Sequence, residues 1–158
     1  MMTKPIPDGF HTLAPHIIVT DGLAAIEFYK NAFGAQELFR LMAPDGKTLM
    51  HAQLKIGNSI LMLGGEFPPN CLSPKNRGGT SVILHIYTAD ADTAFDRAVK
   101  AGCTVKMPVS DAFWGDRYGQ VEDPSGHLWS IATHQHDYTP EQVADNAKAF
   151  FAKMEKCG

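Results

Sequence analysis

The stretch LAPHIIVTDGLAAIEFYKNAFGAQ, Leu13 to Gln36, decides the fold, because the chain writes it a second time as SVILHIYTADADTAFDRAVKAGCT, Ser81 to Thr104. Each copy opens on a short β-rich run, Leu13–Thr20 and Ser81–Thr88. Each then meets an aspartate, Asp21 or Asp90, suited to cap a helix. Apolar residues follow at helical spacing: Ala25, Phe28, Tyr29, Ala32 and Phe33 in the first copy, Ala91, Ala94, Phe95 and Ala98 in the second. A glycine, Gly34 or Gly102, stops each helix by tolerating left-handed geometry.

Three strand-like runs follow each helix. In the first half they are Gln36–Met42, Thr48–Ile56 and Ser59–Gly64, separated by the turn dipeptides Asp45-Gly46 and Gly57-Asn58. In the second half they are Thr104–Ser110, Arg117–Asp123 and His127–Thr133, with Ser125-Gly126 as the last turn. An offset of 69 aligns Asp21 with Asp90 and His16 with His85, and an offset of 68 aligns Gly34 with Gly102. The chain is therefore expected to be α+β. It should form one domain over residues 11–136, built from two tandem βαβββ modules (13–64 and 81–135).

Between the modules, Glu66–Gly79 is rich in Pro, Gly and Asn and reads as an ordered crossing loop. After them, Thr139-Pro140-Glu141-Gln142 resembles a capping box. It opens a terminal helix over 139–156 whose apolar face (Val143, Ala147, Phe150, Phe151, Met154) is suited to packing on a sheet or a partner subunit.

Composition narrows the functional classes. The chain has 158 residues, 44% of them hydrophobic and 20% charged, with a formal net charge of −3. No apolar run approaches the ~20 residues of a membrane helix. The first ten residues carry no secretory pattern. The absence of a basic stripe argues against nucleic acid. Cys71, Cys103 and Cys157 form an odd set without a CxxC. They read as reduced thiols, small buried hydrophobes in a cytoplasmic protein.

The wording AAIEFYKNAFGAQELF, MHAQLKIGNSILML and FWGDRYGQVEDPSGHLWSIATH resembles the vicinal oxygen chelate superfamily, in its glyoxalase-like (PhnB-like) branch. The resemblance covers roughly Leu13 to His136. It implies that the two modules form a curved mixed sheet lining a cleft, with a small-molecule site in that cleft and, in the metal-dependent members, one divalent ion held by four strand side chains. Aligned on that pattern, the ligand positions hold Ala14, Met62, Ile83 and Ser130, which are not a divalent-metal set. No cofactor is therefore expected. The paired modules and the terminal helix also imply a homodimer.

Strand alternation fills the cleft with other groups. His16 shares a face with Ala14, and His85 and Tyr87 with Ile83. If Gly57-Asn58 is a two-residue turn, Gln53 lies opposite Met62 and His51 opposite Gly64. Counting the second turn the same way sets Val121 opposite Ser130 and puts Arg117 on the inner face. The expected ligand-binding lining is thus His16, His51, Gln53, His85, Tyr87 and Arg117, with Trp114 as a wall. Trp129 and Glu122 are expected on the opposite face, Trp129 in the core and Glu122 in an ion pair. The three histidines have two readings. One is a displaced metal site, some ~7 Å along the strands from the usual ligands. The other is a set of neutral imidazoles hydrogen-bonded to each other, to Gln53 or to a ligand. His134 and His136 are read as an exposed strand end. Two functions fit this lining: a metal-free small-molecule binder, or a glyoxalase-like lyase or isomerase using cleft histidines near neutral pH or a displaced divalent metal.

Overall fold

The computed structural model describes residues 3–155. Its elements run β1 (His16–Val19), α1 (Gly22–Phe33), β2 (Gln36–Met42), β3 (Leu49–Ile56), β4 (Ser59–Gly65), α2 (Pro74–Arg77), β5 (Ile83–Tyr87), α3 (Ala91–Ala101), β6 (Thr104–Asp111), β7 (Asp116–Glu122), β8 (Leu128–His134) and α4 (Pro140–Glu155). Two four-stranded mixed sheets result, ordered β1-β4-β3-β2 and β5-β8-β7-β6. Their identical connectivity is the duplication in three dimensions. In each module the opening strand pairs in parallel with the last, and the other pairings are antiparallel.

The helix ends follow from the residues that bound them. The Asp21 and Asp90 side chains accept from the amides of Ala24 and Thr93, each at 3.0 Å. Gly34 and Gly102 end the helices at φ 66° and 122°. At α4 the capping box closes reciprocally: the Thr139 amide donates to Gln142 Oε1 at 2.9 Å, and the Gln142 amide to Thr139 Oγ1 at 3.3 Å.

Helices α1 and α3 pack together on one side of the sheets. The core between layers is Ile26, Tyr29, Leu54, Leu63, Trp129 and Ile131, all buried. Trp129 lies 4.6 Å from Phe33 and 5.6 Å from Tyr29 between ring centroids, so a second-module strand packs on the first-module helix. Asp123 ties the same junction with four accepted bonds. Tyr29 Oη donates to it at 2.6 Å and Trp129 Nε1 at 2.8 Å, with the amides of Ser125 and His127 at 2.9 and 3.0 Å. Arg97 of α3 completes the joint by donating to the carbonyls of Asn31 and Lys30 at the end of α1.

The crossing segment is ordered, and it contains the one-turn helix α2. Glu66 accepts from the Ser73 amide and from Asn76, and Arg77 donates to the Asn70 carbonyl. Cysteine burial differs from expectation: Cys103 is buried, but Cys71, on this crossing segment, is exposed. Burial pushes the Cys103 thiol up to about 12. Cys157 lies outside the described residues.

Candidate functional site on the inner sheet faces

The sheet faces turned away from α1 and α3 carry the polar and aromatic side chains that the core excludes. On the first sheet the register is His16↔Met62 and Met62↔Gln53, with Phe39 paired to Gln53 and Leu41 to His51. This places His16, His51 and Gln53 together on the inner face, as expected. The His16 and His51 rings meet edge to face at 5.5 Å, Phe39 lies 6.2 Å from His51, and Gln53 Nε2 approaches His51 Nε2 at 3.5 Å. Burial, then the neighbouring His51, lowers the His16 pKa, which favours a neutral ring there.

On the second sheet the rows are Tyr87↔Ala132↔Tyr118 and His85↔Ser130↔Gln120. Small residues on the central strand β8 let the flanking rings lean over it. His85 lies 4.4 Å from Tyr87 and 6.0 Å from Tyr118, and Trp114 meets Tyr118 edge to face at 5.2 Å. Ser130 Oγ and His85 Nδ1 share a hydrogen bond of 2.6 Å. Desolvation lowers the His85 pKa despite the opposing pull of Asp116.

Arg117 is the correction. The observed register pairs Arg117 with Thr133 and Val121 with Trp129, one residue away from the expected pairing. A slip of one residue moves every side chain to the opposite face. Arg117 therefore points to the helix side, where Nε and Nη2 donate to Asp92 of α3 at 2.9 and 2.8 Å and Nη1 to Asp111 at 3.2 Å. It is not part of the inner face, and it does not pair with Asp116. Gly119 and Val121 share its side, Gly119 so closely that a Cβ there would stand 2.8 Å from Phe95. Glu122 forms the expected ion pair, with Lys106 at 3.3 Å, although the register puts it on the face opposite Trp129.

In place of Arg117 the inner face gains Tyr118, Gln120 and Asp116. Asp116 is 3% exposed. Its Oδ2 accepts from Trp114 Nε1 at 3.0 Å and from Tyr87 Oη at 3.3 Å, and its Oδ1 lies 2.8 Å from His134 Nδ1. Burial alone would raise its pKa, but hydrogen bonds from His134, Trp114 and Tyr87 outweigh that and hold it below the usual carboxylate range. His134 Nε2 also lies 2.9 Å from Asp137. Carboxylates only accept, so two such partners call for an imidazolium with both nitrogens donating. Those bonds, Asp137 first and then Asp116, raise the His134 pKa. His134 is exposed, as expected of a strand end, but it is engaged rather than idle.

The three histidines do not converge. His16 and His51 meet on one sheet, and His85 is occupied on the other. Among the described residues of the single chain, no group of three His, Cys, Asp or Glu side chains could hold a metal ion. The positions aligned with the metal ligands hold Ala14, Met62, Ile83 and Ser130, and Ser130 is engaged with His85, so these residues do not fit a divalent ion.

A cavity of about 600 Å³ opens where the two modules meet, lined by Leu13, Pro15, Ile56, Ile60, His85 and Tyr87 among others. A shallower depression of about 760 Å³ lies outside, at Asn31, Asp96 and Arg97. It contains none of the inner-face residues, and its Arg97 is spent on the α1 carbonyls. The inner face is the better candidate site. No described helix is long and apolar enough to cross a membrane.

Comparison with known proteins agrees with this architecture. An uncharacterised protein of Mycobacterium bovis is 42% identical over 135 residues, covering 83% of this chain and 88% of its own length. An uncharacterised Arabidopsis thaliana protein is 31% identical over 125 residues, 74% of each chain. Among solved structures, TioX from Micromonospora sp. ML1 superposes with a TM-score of 0.61 at 29% identity, covering 82% of this chain and all of its own. The fosfomycin resistance protein FosX of Listeria monocytogenes, in a complex with Mn(II), shares the fold alone, with a TM-score of 0.56 at 19% identity over 82% of this chain and 91% of its own. The family model of the glyoxalase/bleomycin resistance protein/dioxygenase superfamily matches residues 9–131, and the chain belongs to that superfamily.

Proposed function

We propose that this protein binds a small organic molecule on its inner sheet faces, without a bound divalent metal, and that it works as a homodimer. One observation carries the reading. The inner faces combine apolar and aromatic surface left open in the single chain (Phe39, Leu41, Ile83, Tyr87 and Met107) with a few polar groups set between them. Apolar area interrupted by placed polar groups is the character of a ligand site, and open apolar area of this extent favours a covering partner. The donor set at the aligned metal positions favours a metal-free site.

The test is a thermal-shift screen of small organic compounds against the full chain. Compounds that stabilise the protein should lose their effect in His51→Ala and Tyr87→Ala, and hits indifferent to both variants would overturn the reading. Elemental analysis after chelator-free purification should find no stoichiometric zinc, manganese, nickel or iron.

A second reading, a lyase or isomerase, draws on His85. Its Nδ1 is engaged by Ser130, which leaves Nε2 available for proton transfer on the inner face. Turnover of a screened ligand that disappears in His85→Gln with binding retained would favour catalysis.

A further inference from the structure

We propose that the cavity between the modules, beside the free edge of β5, is a second binding site, and that it takes a neutral aromatic heterocycle carrying an N–H donor. The site is separate from the inner sheet faces, and the inference does not rest on ligand binding there.

The modules meet at two equivalent joints, and a group present in one is missing from the other. Strand register fixes the equivalence: His16 pairs with Met62 as His85 pairs with Ser130. Ile18 therefore corresponds to Tyr87, and Ser59 to His127. Both β1 and β5 are edge strands, and no ladder joins them among the described residues. The Pro15 carbonyl accepts from the Met62 amide, and the Thr88 amide donates to Ala132. Alternation then turns the main-chain groups of Ile18 and Tyr87 away from β4 and β8, onto the free edges. At the first joint that edge is occupied. His127 Nε2 lies 2.8 Å from the Ile18 carbonyl, which can only accept, so the ring donates. Beside it the Thr20 amide donates to Ser125 Oγ at 3.1 Å. At the second joint the short Ser59 side chain turns to Asn58 Oδ1 at 3.2 Å, and no described residue hydrogen-bonds the Tyr87 carbonyl. The cavity on the His127 side measures about 390 Å³, and the one on the Ser59 side about 600 Å³.

The lining of the larger cavity selects its guest. Phe33, Ile60, Leu84, Ile86 and Trp129 supply apolar and aromatic wall, and no Asp, Glu, Lys or Arg is among the described lining residues. A charged guest would lose its hydration there without meeting a counter-charge. Tyr87 supplies a carbonyl acceptor at the place where the first joint seats an imidazole N–H. Small-molecule sites commonly enclose about 300–1,000 Å³, so the space suits a guest larger than the single histidine ring of the first joint. A flat neutral ring with one N–H meets the wall and the acceptor together. A ring of the same shape without the N–H leaves the carbonyl unpaired.

The experiment titrates the full chain with indole and with benzofuran, which has the same shape and no N–H, and reads binding by calorimetry. A merely apolar slot would prefer benzofuran, the less polar of the two. The site predicts indole tighter by about fivefold, the worth of one hydrogen bond. Ser59→His supplies at the second joint the ring that His127 supplies at the first. Ser59 is exposed beside a turn, so the change is compatible with the fold, and cooperative thermal unfolding checks that it is. This variant should bind indole about tenfold or more weakly, because the new ring takes both the space and the acceptor. Equal or tighter binding of benzofuran overturns the proposal, as does no binding of indole up to about 10 mM. Unchanged indole affinity in folded Ser59→His also overturns it, since indole would then be binding elsewhere. Should the variant fail to fold, the preference of the wild-type chain between the two probes decides alone.

Discussion

Replacing Asp123 with alanine should cost far more stability than removing any inner-face histidine, because one carboxylate satisfies four donors at the joint of the two modules. Two of the donors, Tyr29 Oη and Trp129 Nε1, belong to side chains 1% and 3% exposed, which water cannot reach once the carboxylate is gone. Each orphaned buried donor costs about 1–2 kcal/mol, and the two turn amides add about 0.5 kcal/mol each, for about 3–5 kcal/mol in all. With a urea m-value of about 2 kcal/mol/M, the midpoint should fall by about 2 M. Urea unfolding followed by tryptophan fluorescence reads this directly. Tyr29→Phe is the companion variant. It keeps the ring packing and removes only the hydroxyl, so it should cost about 1 kcal/mol. A loss below about 1 kcal/mol for Asp123→Ala would refute the claim that this carboxylate holds the modules together.

Other expectations follow from the same geometry. His16→Ala, His51→Ala and His85→Ala should each cost about 1 kcal/mol or less, whereas Trp129→Ala should cost about 3–5 kcal/mol, as thermal unfolding will show. Gly119→Ala should destabilise through collision with Phe95 and Val109, visible as a lowered Tm, while Gly57→Ala meets no neighbour and pays only for its positive φ. The His134 pKa is raised in the folded protein, so its stabilising contribution is complete below the ordinary imidazole value of about 6.5 and vanishes as pH rises through the higher folded value. The stability difference between wild type and His134→Ala should therefore shrink with rising pH across that window, and a flat difference would contradict the two-carboxylate geometry. Light scattering at micromolar concentration should give twice the 17.3 kDa chain mass.

The two modules differed in how far their faces could be read from residues alone. In the first, Gly57-Asn58 is a two-residue turn closed by Ile56↔Ser59, so counting outward put His51 and Gln53 on the correct face. In the second, the strands part at Glu122↔Leu128 and the turn takes five residues, Asp123 to His127. Proline at 124 and the Asp123 side chain, bonded to the Ser125 and His127 amides, build that wider loop. Reading only Ser125-Gly126 as the turn shifted the register by one, brought Arg117 in and left Tyr118 and Gln120 out. A dipeptide such as Ser125-Gly126 reports a turn's presence, while its length here is decided by a side chain reaching into the core. Asp116 was hidden for a different reason. Its partners Tyr87 and His134 are 29 and 18 residues away and meet only through strand pairing.

That wider loop makes the two equivalent hairpins unequal as places to lengthen the chain. At the Gly57-Asn58 turn, by contrast, a Cβ added to Gly57 would find no atom within 4 Å, which leaves space for added residues. At Ser125-Gly126 the Ser125 carbonyl accepts from the Lys75 amide, the Ser125 hydroxyl meets Thr20, and a Cβ on Gly126 would stand 2.8 Å from Lys75 N. A peptide tag or an inserted domain is therefore expected to be carried at the first hairpin and rejected at the second, although duplication made them from one ancestor.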